Sequence, residues 1–135
     1  MLLTYGMLDV SELQGTRQGD VLVAVDADFR VVDGERLVYE ERSFPVVELA
    51  WGLLRWLDQP DRLDFVFDSM SFEELGALTV RREGAGWVFG SVFVSDIGDP
   101  VSWTEVERSV RVFVHKVTDD LTAAGLDAAE ALRAR

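Results

Sequence analysis

At 135 residues the chain suits a single domain, and its 48% hydrophobic content, with 8 Phe and 4 Trp, excludes the disordered class despite a formal net charge of -12. Cysteine is absent, which excludes disulfides, thiolate metal sites and a cysteine nucleophile. The acidic balance argues against nucleic acid or an anionic membrane as a partner and in favour of a basic one.

Residues 2–10 read as a first strand, closed by the polar, glycine-containing stretch 11–19. Val21, Val23, Val25, Ala27, Phe29 and Val31 then alternate with Leu22, Ala24, Asp26, Asp28 and Arg30, the period of a strand with one wet face. Asp33-Gly34 marks a hairpin. A three-residue turn with Gly34 in a bulge pairs Phe29 with Leu37 and Ala27 with Tyr39 and keeps apolar groups together, whereas a strict two-residue turn mixes the faces. Pro45 suits the first turn of a helix, and the run to Leu57 holds only Glu48 and Arg55 as charges. On a helical wheel Val46, Leu49, Ala50, Leu53 and Leu57 form a core stripe, Glu48, Gly52 and Arg55 lie opposite, and Trp51 borders that outer strip. Gln59-Pro60-Asp61 ends the helix. Leu63, Phe65 and Phe67 then face one way on a strand while Asp64 and Asp68 face the other. A hairpin follows, with strands over 75–82 and 87–94 joined by Glu83-Gly84-Ala85-Gly86. The second of these strands is apolar on both faces and is therefore expected at the centre of the sheet.

Ser102-Trp103-Thr104-Glu105 is a capping box. A helix starting there directs Val106, Val110, Phe113, Val114, Val117, Leu121 and Ala124 inward and sets Glu107–Arg111, His115–Asp119 and Lys116–Asp120 at the i,i+4 spacing outside. Residues 110–115 also alternate like a β-branched strand, but the cap, the lack of breakers and the ion-pair spacing favour helix. Gly125 suits a left-handed terminator, and residues 126–135 read as a C-terminal tail or short helix after a single domain of residues 1–125. The order βββα-βββα predicts an α+β fold: a two-layer sandwich of mainly antiparallel sheet with two principal helices on one face.

Few residues suit catalysis. His115, the only histidine, falls on the wet side of its helix without a nucleophile or orienting partner nearby in sequence. Asp58, Asp61, Asp64, Asp68, Glu73 and Glu74 form an acidic stretch containing one base, Arg62. Asp64 and Asp68 lie about 13–14 Å apart by strand rise, too far for a shared metal or a glycosidase pair unless another strand supplies the second carboxylate. Asp96-x-x-Asp99 resembles a turn more than a calcium loop, and Gly84-Ala85-Gly86 joins two strands and is no phosphate cradle. No metal or cofactor is expected. Trp56 belongs in the core. Trp51 is expected half-exposed, with Arg55 in reach to stack on it, the composition of an interface hot spot.

The run Phe44-Pro45-Val46-Val47-Glu48-Leu49-Ala50 to Trp56-Leu57, then Asp64-Phe65 through Asp68-Ser69-Met70, then Gly86-Trp87 to Gly90-Ser91, resembles a family of small, uncharacterised, acidic bacterial proteins over most of the chain. These motifs are structural and carry no catalytic residue. Proteins of this size and character also resemble immunity proteins of bacterial toxin systems, which act by binding a toxin.

The charge is uneven along the chain: residues 1–76 carry 16 acidic and 6 basic side chains, and residues 77–135 carry 9 and 7. Twelve arginines against one lysine mark a compositional bias, and acidity also serves solubility, so only the clustering argues for function. The start lacks a basic region and residues 44–57 are too short for a bilayer, which predicts a soluble, cytoplasmic protein. The functional expectation is a non-catalytic module binding a basic protein through Trp51, Asp58, Asp61, Asp64, Asp68, Glu73 and Glu74, an immunity protein being what the resemblance implies. The alternatives are a homo-oligomeric structural protein, such as a homodimer, and a carboxylate-dependent hydrolase.

Overall fold

The computed structural model describes residues 1–70, 73–94 and 98–134. Ten elements follow one another: β1 (Leu2–Tyr5), α1 (Gln18–Ala24), β2 (Ala27–Asp33), β3 (Arg36–Phe44), α2 (Val46–Leu57), β4 (Phe65–Val66), β5 (Thr79–Glu83), β6 (Gly86–Gly90), α3 (Trp103–Ala123) and α4 (Ala128–Ala131). The class is α+β, as the alternation of patterns predicts. The strands divide into two antiparallel sheets, ordered β1-β2-β3 and β4-β5-β6, and α2 and α3 pack against each other over one continuous core.

Three expectations are corrected. The strand expected from Val21 gives way to helix α1, and β2 begins only at Ala27. Helical geometry lets Val21, Leu22 and Val25 all turn inward and leaves Val23 51% exposed, which strict alternation does not allow. The helix start is fixed locally by the Arg17 backbone N–H, which donates to Asp20 Oδ2 at 3.2 Å. Its packing is fixed from the other end of the chain: the buried Gln18 amide donates to the carbonyls of Ala131 (3.1 Å) and Arg133 (2.7 Å).

In the first hairpin, Gly34 and Glu35 form the turn with Asp33 opposite Arg36, and two register shifts lie further along, one opposite Val31 and Val32 and one between Phe29 and Ala27. Val31 therefore faces Tyr39, Phe29 faces Glu41 and Ala27 faces Phe44, in place of the expected pairs. The shift at Val31/Val32 lets the consecutive residues Val38 and Tyr39 both be buried, and the shift between Phe29 and Ala27 brings Phe44 to the position where it stacks on Phe29 with ring centroids 4.6 Å apart. Aromatic packing in the core outweighs the local turn preference.

The third correction concerns β6, which lies at the edge of its ladder while β5 is central. Its outer side is covered by Val101, which exchanges two backbone hydrogen bonds with Trp87 at 2.8 Å each. Burial on both faces thus arises from an added bridge and from packing.

Helices α2 and α3 follow their patterns closely. Val46, Leu49, Ala50 and Leu53 of α2 are fully buried, as are Val106, Val110, Phe113, Val117 and Leu121 of α3, although Ala124 is exposed. Ser102 Oγ accepts the Glu105 N–H at 3.2 Å. All three ion pairs form on the outer face: Glu107–Arg111 at 3.9 Å, His115–Asp119 at 3.2 Å and Lys116–Asp120 at 3.2 Å. Gly125, at φ 80°, ends the helix, with Leu126 N–H donating to Leu121 O at 2.9 Å. Aromatic contacts run through the interior from Phe113 by way of Phe29, Phe44, Phe67 and Phe65 to Trp56. Phe113 meets Tyr5 and Phe29 edge-on at 6.0 and 5.9 Å, and Trp56, Trp87 and Trp103 contact one another at 5.2–5.9 Å. Among the described residues no helix is long and apolar enough to cross a membrane.

Candidate functional site

The strip of α2 that the helical wheel turns away from the core does not face bulk solvent along its length. Beyond β4 the chain runs back over it, and Ser69 and Met70 reach Glu48: Ser69 Oγ donates to Oε1 at 2.5 Å and the Met70 N–H donates to Oε2 at 3.3 Å. Glu48 is only 6% exposed, so the expectation that it lies on the wet face is corrected. A carboxylate this deeply buried is normally paired with a cation, but both described donors here are neutral.

Glu48 lines a groove of about 310 Å³ between α2 and the β4 segment. The rest of the lining comes from Trp51 and Gly52 of α2, Leu22 of α1, and Phe65, Val66, Phe67, Asp68 and Met70. The described lining thus holds two carboxylates, three aromatic rings and no basic side chain. Arg55, on the same strip of α2, is directed to Asp58, with its Nη2 3.6 Å from Oδ2, and its buried Nε has no hydrogen-bond partner among the described residues.

Gly52 sits inside a helix, where glycine is about 1 kcal/mol less favourable than alanine. Among the described residues nothing in the packing demands it, since an added Cβ would lie 3.8 Å from the Phe65 ring, an ordinary contact. Its effect is to widen the groove.

Of the seven residues expected to bind a partner, the structure brings Trp51 and Asp68 together in this groove. Trp51 is half-buried, and its indole N–H donates to the Arg133 carbonyl at 2.9 Å, so the C-terminal segment holds the ring in place. Asp64 is engaged elsewhere: it accepts the Arg82 N–H at 2.9 Å and lies 3.8 Å from Arg81 Nη1, a base from the C-terminal half. Asp58 caps α2 beside Arg55, and Asp61, Glu73 and Glu74 are exposed on the connecting loops. Trp56 is in the core, donating to Leu63 O at 2.7 Å. Glu48 and Gly52 were missed, because their importance depends on a loop some twenty residues away folding back over them.

A second acidic group surrounds the bridge between Asp9 and Asp26. Partial burial, then the nearby Asp9, Asp28 and Glu12, raise the Asp26 pKa above the usual carboxylate range. Among the described residues no group of three or more His, Cys, Asp or Glu is arranged to hold a metal ion. Asp96 of the Asp96–Asp99 turn lies outside the described residues.

With this geometry in view, comparison with known families gives one result. The model of a domain of unknown function, DUF7878, matches residues 2–123. The chain belongs to the DUF7878 family. No curated protein and no solved structure matches it. The family match ends at the close of α3, so α4 and the Arg133 carbonyl that fixes Trp51 lie beyond it.

Proposed function

We propose that this DUF7878 protein is a non-catalytic, cytoplasmic binding module that docks a basic protein partner, in the manner of an immunity protein occluding a basic bacterial toxin. The observation that carries the reading is the meeting of Trp51 and Asp68 around the buried Glu48 in one groove with no described cation in its lining. Asp58, Asp61, Glu73 and Glu74 are exposed and add negative charge that would speed encounter, and Trp51 supplies apolar contact once docked. The net charge of -12 acts in the same sense. The test is affinity capture at low salt followed by kinetics on the captured partner. The association rate is expected to fall steeply as salt is added, and Trp51→Ala to speed dissociation. Salt-independent association, or recovery of only a nonspecific mixture of basic proteins, rejects the reading.

One further observation favours a second reading. Leu75 and Val92, which flank the second sheet, are each 58% exposed and line a groove of about 300 Å³ beside β5 and β6. Burial in a homodimer would cover them. Sedimentation over a concentration series separates the two, since a monomer throughout removes the dimer.

A further inference from the structure

We infer that the α2 groove is a receptor for a single long cationic side chain, an arginine or lysine of the partner, with Glu48 as its buried counter-charge. This deepens the basic-partner reading and rests on it.

Four features of the groove converge on that chemistry. Its volume of about 310 Å³ is at the lower end for ligand pockets, the size for one extended side chain and too small for a folded element. The two carboxylates that line it, Glu48 and Asp68, face no described base there, so a cation entering it meets unbalanced negative charge. Glu48 is deeply buried and its two described donors are neutral, so acceptor capacity remains on a carboxylate already stripped of most of its water. Trp51, Phe65 and Phe67 provide flat apolar walls, which suit both the methylene stem of a long cationic side chain and cation–π contact with its head.

Glycine at position 52 supplies an independent argument. Among the described residues there is room for a Cβ there, so the helix carries its least favourable residue other than proline with no packing reason that they supply. Space in the groove is what that choice provides. The walls are also set in advance: Glu48 is fixed by Ser69 and Met70, and Trp51 by the Arg133 carbonyl, so little ordering remains to oppose binding.

The test is a nitrogen-15 NMR titration of the full chain with N-acetyl-arginine amide and N-acetyl-lysine amide, using uncharged N-acetyl-norleucine amide as control. Saturable shifts are expected at the Trp51 indole and at Gly52 and Met70 with the cationic probes, and binding of the norleucine probe should be about 10-fold weaker or worse. Glu48→Gln should weaken the cationic probes by about 10- to 100-fold, and Gly52→Met, which keeps the carboxylate and fills the space, should abolish the shifts. Equal response to the uncharged probe, or full binding by a folded Glu48→Gln protein, overturns the inference. Should Glu48→Gln fail to fold, the Gly52→Met protein decides: retained binding overturns the inference and lost binding supports it. A protein whose groove ignores the probes while salt-sensitive capture of a basic partner persists loses this inference alone, whereas loss of that capture removes the parent reading.

Discussion

The outer faces of α2 and α3 solve the same problem in opposite ways. On α3 each of the acids Glu107, Asp119 and Asp120 has a basic group one turn away, and the ladder stands largely in solvent. On α2 the outward strip carries Glu48, whose carboxylate is covered by the chain around Ser69 and Met70 and, among the described residues, given only neutral donors, while Arg55 is directed to Asp58. The first face is a balanced, solvated surface of the kind that keeps a helix soluble. The second is an unbalanced one with aromatic walls.

The contrast can be broken most severely from the inner side. Phe113→Ala on α3 removes a fully buried ring that meets Tyr5 and Phe29, and urea unfolding should show a loss of about 3–5 kcal/mol. A loss under about 1 kcal/mol would mean that the aromatic group between α3 and the first sheet contributes little. At the helix start, Ser102→Ala deletes the cap on the Glu105 N–H and should cost about 1 kcal/mol by the same measurement.

Gly52→Ala runs the other way. It should raise stability by up to about 1 kcal/mol, because the added methyl meets Phe65 at an ordinary distance and the helix is stiffened. Destabilisation would show that glycine is there for packing and would weaken the case for the groove. The smallest effect belongs to the α3 ladder: Glu107→Gln should change stability by no more than about 0.5 kcal/mol, since its pair with Arg111 is exposed and 3.9 Å long.

Alkaline unfolding sharpens the comparison where the α3 ladder reaches the interior. Tyr5 O–H donates to Asp120 Oδ2 at 2.6 Å, and burial, that bond and the charges of Asp120 and Asp119 raise the Tyr5 pKa well above its usual value. Burial and the nearby Glu41 push Tyr39 up to about 12. The unfolded chain releases these protons first, near pH 10 for an unperturbed tyrosine, so their contribution is complete below about pH 10 and is lost as pH rises toward the folded values. Urea midpoints measured through this range should fall, and the decline should be shallower in Tyr39→Phe. An unchanged slope would remove Tyr39 from the account.

Much of this architecture is legible locally. The stripe from Val46 to Leu53, the Ser102 cap, the three i,i+4 pairs and the Gly125 terminator all rest on interactions within one or two helical turns, so the residues involved are close in sequence. The same holds for the α+β class, which follows from the alternation of two periods. Trp51 and Asp68 were marked by composition, as a tryptophan bordering the outer strip and an acid in a run of acids.

Sequence by itself therefore determined which segments of this protein are amphipathic and where the two principal helices begin and end, because those free energies are set by near neighbours. Tertiary structure decided the rest. Helix α1 docks through Gln18, whose amide finds carbonyls on the C-terminal segment, the first hairpin shifts register to stack Phe29 on Phe44, and Glu48 becomes buried because Ser69 and Met70 close over it. In each case the deciding partner is remote along the chain, and its contribution to the free energy exists only once the chain has folded.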